Sequence, residues 1–281
     1  MDKKVIGILV AILVIIAVVV LCMALGNKKE EQPSSPVVVI NESGEQEIKV
    51  SRNVETDPYN ANIPNEIFDF YLEKVEEIEK KHKAEQTERL EEDPDIDLTS
   101  LTKLKYDLVF FDDNNVPEMV VTEEGYRTAL YTYEPGKVIY AMRDEFDASG
   151  DELGWPFGAA GNQGYEFIPR ANVLRNINSD QGGLIRYYAF YKLDDKEHNL
   201  VNHFDNALCE YHFDDLNKNG NIDEEEAELY TDNATAYFAG EKELTEDEAK
   251  AYVILGDYEP LEGTKTADEF RAILQSLVNE K

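Results

Sequence analysis

Val5 to Leu25 is an unbroken run without a charged side chain, and no other feature limits the fold as sharply. A helix rises about 1.5 Å per residue, so a run of this length crosses the roughly 30 Å hydrocarbon core of a bilayer. Lys3 and Lys4 precede the run and Lys28 and Lys29 follow it, so the number of basic residues does not orient it. The short stub before the run suits an anchor whose amino terminus stays inside, with the acidic mass beyond carried outward. We therefore expect residues 1–26 to be a single-pass transmembrane signal anchor in the cell membrane, N-terminus inside, with the bulk of the chain extracytoplasmic. Two alternatives stay open. Ala24-Leu25-Gly26 is a small-x-small site for signal peptidase, although the run exceeds the roughly 7–15 apolar residues of a cleaved signal. Cys22 is a possible lipid attachment point, against which stands Leu21, where lipoprotein processing wants a small residue. All three readings place the remainder outside the cytoplasm.

Charge decides which partners that remainder can take. Lys plus Arg number 27 against 59 Asp plus Glu, a net −32; Asp2, Lys3 and Lys4 give the first 26 residues a net +1, leaving −33 beyond them. No nucleic-acid partner is expected, because phosphate recognition needs a basic footprint. An acidic surface of this density attracts cations instead. Only Cys22 and Cys209 are present, the first inside the apolar run, so no intradomain disulfide is expected. With 42% hydrophobic and 10% aromatic residues the chain is too rich in packing side chains to be disordered throughout.

Residues 27–58 read as a flexible tether, with Gln32-Pro33-Ser34-Ser35-Pro36 and a later Glu/Asn/Ser/Gly run. Val37-Val38-Val39-Ile40 and Ile48-Lys49-Val50 have the composition of a small hairpin, but a stalk is the simpler expectation. Residues 59–281 form the expected acidic extracytoplasmic domain. Ile67, Phe70, Tyr71, Val75 and Ile78 recur at three- and four-residue steps after Pro64, which predicts an amphipathic helix to about Arg89. Strand-like runs follow at Tyr106–Phe111, Glu118–Thr122, Thr128–Tyr133 and Lys137–Ala141, with short loops that make them antiparallel neighbours. Gly183 to Leu193 is aromatic on both alternating faces, as a central strand would be. Thr245-Glu246-Asp247-Glu248 and Thr266-Ala267-Asp268-Glu269 are capping boxes that open helices. The fold class expected is α+β, a mainly antiparallel sheet with an N-terminal amphipathic helix and C-terminal helices, preceded by one transmembrane helix.

One segment has metal chemistry in its spacing. Asp215, Asn217, Asn219, Asn221, Asp223 and Glu226 occupy loop positions 1, 3, 5, 7, 9 and 12 of D-x-[DN]-x-[DN]-G-x5-E, with Gly220 at 6 and Ile222 at 8. A hard cation taking six or seven oxygens needs side chains at 1, 3 and 5, a glycine for the sharp turn, a backbone carbonyl at 7 and a bidentate glutamate at 12. Residues 215–226 resemble the EF-hand calcium loop. The resemblance implies Ca2+ held by those six residues, Asn221 through its carbonyl. With two asparagines in place of acids, affinity belongs in the weak extracellular range of about 10⁻⁴ to 10⁻³ M. The flank is open: Phe204, Leu208 and Tyr211 make a helical stripe, yet Leu208, Glu210 and His212 alternating with Cys209, Tyr211 and Phe213 read equally as a strand.

A second loop, Phe111-Asp112-Asp113-Asn114-Asn115-Val116-Pro117-Glu118-Met119, is similar to the D-x-D-G-D-G-x-P-E-L calcium loop of uncharacterised membrane-anchored surface proteins of Gram-positive bacteria. Asp112, Asn114 and Glu118 stand at ligand places, while Phe110, Asp113 and Asn115 replace the first Asp and both glycines. The order of amphipathic helix, this loop, Leu130-Tyr131-Thr132-Tyr133 and Phe238-Ala239-Gly240-Glu241 is also similar to that group. A structural turn without metal is the expected state of this loop.

Catalytic signatures are sparse. His82, His198, His203 and His212 make no H-E-x-x-H, no serine sits in G-x-S-x-G, and Gly158-Ala159-Ala160-Gly161 lacks a strand-to-helix setting. The expectation is a membrane-tethered calcium-binding domain with a binding or structural role at the cell surface, taking an unknown surface ligand. The alternative is a surface hydrolase of carbohydrate or peptide with its site around Gly150–Gly164, near Trp155 and Tyr165.

Overall fold

The computed structural model describes residues 37–41, 43–49, 57–59, 63–93, 95, 103–124, 126–142, 154–157, 164–180, 183–213 and 234–279. The anchor expected over 1–26 lies outside these residues, and among them no helix is long and apolar enough to cross a membrane. What they form is α+β and mostly antiparallel.

Helix α1, Asn65–Glu92, buries Ile67, Phe68, Tyr71, Val75, Ile78 and His82 on one stripe. Pro64 is its N-cap and Asp93 its C-cap, so the helix begins directly after the proline. Phe70, expected on the stripe, lies beside it and meets the Tyr133 ring at 5.6 Å, while Phe68 takes the fully buried place. The stripe covers a meander of β3 (Leu104–Val109), β4 (Glu118–Glu123), β5 (Arg127–Glu134) and β6 (Lys137–Tyr140), in the order β3-β4-β5-β6. β4 is buried along its whole length, flanked by β3 and β5 and contributing Met119, Val120 and Val121 to the main core. The two-residue β7, Trp155–Pro156, pairs with Arg127 and Thr128 of β5. Gly154 permits that approach: at φ +100° it has no Cβ, and one would come within 2.3 Å of the Thr128 carbonyl oxygen.

A larger sheet follows from β8 (Tyr165–Ile168), β9 (Val173–Asp180), β10 (Ile185–Leu193), β12 (Leu208–Phe213), β13 (Ala234–Ala239), β14 (Lys242–Leu244) and β16 (Glu259–Pro260). Its order is β14-β13-β12-β10-β9-β8-β16, with the short β11, Leu200–Asn202, also on β10. β10 therefore stands mid-sheet, as its two-faced aromatic pattern predicts. Both capping boxes form: Glu248 N–H donates to Thr245 Oγ1 at 3.2 Å to open α2, Glu246–Lys250, and Glu269 N–H donates to Thr266 Oγ1 at 3.3 Å at the start of α3, Ala267–Asn279. Helix α3 buries Phe270 and Leu274, the former stacked 5.6 Å from Tyr106.

The segment expected to be a tether departs from that expectation over residues 37–49. β1 (Val37–Ile40) and β2 (Gln46–Lys49) pair antiparallel, Asn41 Oδ1 accepting from the N–H groups of Ser43 and Glu45 in the turn. β2 then pairs in parallel with β15, Ile254–Leu255. The physical reason is apolar burial. Ile48 is 8% exposed and packs in a separate cluster with Ile168, Ala171, Val173, Phe190 and Ile254.

Candidate functional site

All six residues expected to hold calcium, Asp215, Asn217, Asn219, Asn221, Asp223 and Glu226, lie in 214–233, outside the described residues. Their two supports are described. β12 ends at Phe213 and β13 begins at Ala234, and these two residues are direct partners in an antiparallel ladder. The loop thus closes a hairpin whose ends are in register, in place of the incoming helix of an EF-hand. Of the two readings of that flank the strand is the one formed: Leu208 and His212 are buried on one face, and Phe204 lies in the bend after β11, edge-on to the rings of Phe190 and His203. Glu210 ties the strand to its neighbour, accepting from Tyr188 Oη at 2.8 Å, with His212 Nε2 at 3.1 Å from its other oxygen.

The second loop is fully described, and it is built inward. Asp112 Oδ1 accepts from Asn114 N–H at 2.9 Å and its Oδ2 from Asn114 Nδ2 at 2.8 Å; Asn114 Oδ1 accepts from Val116 N–H at 2.7 Å. These are Asx turns, the side chains standing in for backbone acceptors. Glu118 is fully buried at the head of β4, its Oε2 accepting from Phe111 N–H at 2.9 Å and its Oε1 from Thr132 Oγ1 at 3.4 Å. Tyr71 of α1 donates to the Pro117 carbonyl at 2.7 Å. The three surviving ligand places therefore have their oxygens engaged by N–H groups of the loop and by the Thr132 hydroxyl of β5.

A buried arginine braces this loop. Arg170, 1% exposed, reaches in from the turn between β8 and β9 and donates through Nη1 to Asn114 O and Asn115 Oδ1, each at 3.2 Å. Its guanidinium lies 3.7 Å over the Phe110 ring. Arg170 and Asn172 hold left-handed φ of 61° and 55°, and both backbone N–H groups donate back to the loop, to Phe110 O at 2.8 Å and Phe111 O at 2.9 Å. Such strain persists only where surroundings fix it. Burial pushes the Asp112 carboxyl up to about 6, aided by the charges of Asp113 and Asp195 and opposed by Asn114 N–H and Arg170. Burial, then the charge of Asp112, holds Glu118 well above the ordinary carboxylate range. Neither the burial of Glu118 nor the part played by Arg170 is visible in the sequence; the only hint is a lone arginine after Ile168-Pro169.

The aromatic residues of the alternative site are packing residues where they are described. Trp155 lies 5.9 Å from Tyr165 and 5.0 Å from Tyr191, ring to ring, against the main core. Tyr165 donates to the Pro156 carbonyl at 3.2 Å, and Glu166 beside it is paired with Arg175 at 2.9 Å. Residues 150–153 and 158–163 of that segment lie outside the described residues. The four histidines occupy four different places: α1, the β10–β11 turn, the bend after β11, and β12. A cleft between the last turns of α1 and the β4–β5 turn is lined by His82, Glu85, Arg89, Glu123, Tyr126 and Arg127 among others. Its Arg127 is held by buried Glu123 and approaches Glu85 at 3.8 Å. Among the described residues, no group of three or more His, Cys, Asp or Glu side chains is placed to hold a metal ion. No protein-family model, curated protein or solved structure matches the chain.

Proposed function

We propose that this chain is a membrane-tethered extracytoplasmic domain that binds calcium through Asp215–Glu226 and has a binding or structural role at the cell surface. The observation that carries the proposal is the complete ligand pattern of that loop, with Gly220 at the turn and Glu226 at the bidentate place. Its position supports a structural use of the ion. A connection running from 214 to 233 closes the β12–β13 hairpin, and the entropy of closing a long loop falls when a cation draws its oxygens together. The net charge of −32 adds a second gain, since a bound divalent ion relieves part of the self-repulsion. Val5–Leu25 supports the membrane location.

Thermal melts of the full chain in neutral-lipid nanodiscs test this, in chelator and in millimolar calcium, beside Glu226→Gln. At ten times the dissociation constant a ligand that binds only the native state adds about 1.4 kcal/mol, so the wild-type melting temperature is expected to rise and that of the variant to stay. Superimposable wild-type curves would remove the calcium site and leave an acidic hairpin loop.

A further inference from the structure

Val38, Val39 and Ile40 are 56, 37 and 62% exposed, and with Tyr126 they are the large hydrophobic side chains standing exposed among the described residues. Three of the four are thus consecutive on one strand. That strand, β1, is the outer member of the order β1-β2-β15, and among the described residues no strand pairs with its other side. Native edges are usually blunted by a charge or a bulge, because unpaired N–H and C=O groups recruit further strands. Val37–Ile40 carries no charge. The pleat puts Val38 and Ile40 on one face and Val39 on the other, so an added strand would find backbone groups in line and apolar side chains on both sides.

We propose that the β1 edge takes up an extended segment of a basic partner protein, added as a strand beside Val37–Ile40. Its alternate apolar residues lie against Val38 and Ile40, and its Lys or Arg residues stand on the Val39 side, where Glu47 lies opposite Val39. The sign of the partner follows from this chain's 59 acidic against 27 basic residues: opposite charge steers association and like charge opposes it. A second copy brings −32 to −32, and that repulsion opposes its approach. A basic extended segment gains backbone pairing, apolar cover and charge attraction together, the strand-addition mode of peptide recognition. This surface gives a chemistry to the surface ligand proposed above but does not depend on the calcium loop, so loss of calcium binding leaves it standing.

Hydrogen exchange on the full chain in zwitterionic-lipid nanodiscs tests it. The probe is a short blocked peptide alternating Val with Lys, against the same peptide with Glu for Lys. The Lys peptide is expected to slow exchange across 37–41 by at least about ten-fold, more strongly at low salt. Val38→Asp with Ile40→Asp, both at exposed positions, is expected to weaken that peptide by at least about ten-fold while exchange in β10 is unchanged. Unaltered exchange at 37–41, or equal protection by the Glu peptide, overturns the proposal. So does protection already complete without peptide, which would mean the chain covers its own edge, or protection that accompanies dimerisation, which would make the occupant a second copy.

Discussion

Glu118 and Asp112 are carboxyls that the fold holds out of water, and their protonation belongs to the stability of the domain. A carboxyl whose pKa is raised on folding binds its proton better in the native state than in the unfolded chain. Its contribution is therefore fully present below the unfolded pKa and is lost as pH rises through the folded one. For Asp112 that window runs from 3.8 to about 6; Glu118 is shifted in the same direction. The domain is expected to melt higher at pH 5.5 than at pH 7, and Asp112→Asn with Glu118→Gln is expected to flatten that difference. Parallel pH profiles would show that the pair does not titrate with folding. Glu118→Gln keeps one oxygen for the Phe111 N–H and turns its amide N–H toward Thr132 Oγ1 as acceptor, so a change within about 1 kcal/mol is expected, whereas Glu118→Ala orphans the Phe111 N–H and costs about 1–3 kcal/mol. Urea titrations separate the two variants.

Elements with local signals were legible in the sequence, and those made by distant partners were not. The stripe of α1, the alternation of β10 and the two threonine caps each depend on residues within a turn or a strand of one another, so spacing alone identifies them. The β1–β2 hairpin differs. Its turn is local, but its burial comes from Ile254 and its neighbours; Gln46 Nε2 donates to Ala251 O across 205 residues of chain. Read locally, the same residues are a short apolar run inside a polar stalk. The Asp112–Glu118 loop has the same character: its carboxylates are plain in the sequence, but the arginine that braces the loop through Asn114 O and Asn115 Oδ1 arrives from another turn. Burial of Ile48 gives a prediction for the element. Ile48→Ala is expected to cost about 2–4 kcal/mol if the hairpin unfolds with the domain, and to raise exchange only over 37–49 if it opens by itself. The small contact, two residue pairs with β15, favours the second outcome, with exchange in β4 unaltered.

For the whole molecule the governing quantity is the −33 carried beyond the first 26 residues. Among the described residues most ion pairs, such as Lys250 with Asp247 at 3.0 Å, sit at the surface, where each contributes little. Mutual repulsion should therefore weaken the folded state at low ionic strength, where the screening length is about 30 Å at 0.01 M against about 8 Å at 0.15 M. Calorimetry across that range of sodium chloride is expected to show a melting temperature that rises and then levels. A flat or falling curve would mean that the charges are spaced widely enough not to interact.

The parallel ladder between β2 and β15 has a mechanical consequence. Any pull that enters the domain from its amino-terminal side reaches β1 first, passes through the turn at Asn41–Glu45 to β2, and meets two residue pairs before it meets the rest of the fold. Residues 37–49 stretch to about 45 Å at roughly 3.5 Å per residue. Tension applied there is thus spent first on a short hairpin whose release lengthens the reach of the domain before the meander or the large sheet is loaded. Under such a load the hairpin would act as a give in the line, and the same event would dissolve the open edge at Val38–Ile40 by parting β1 from β2.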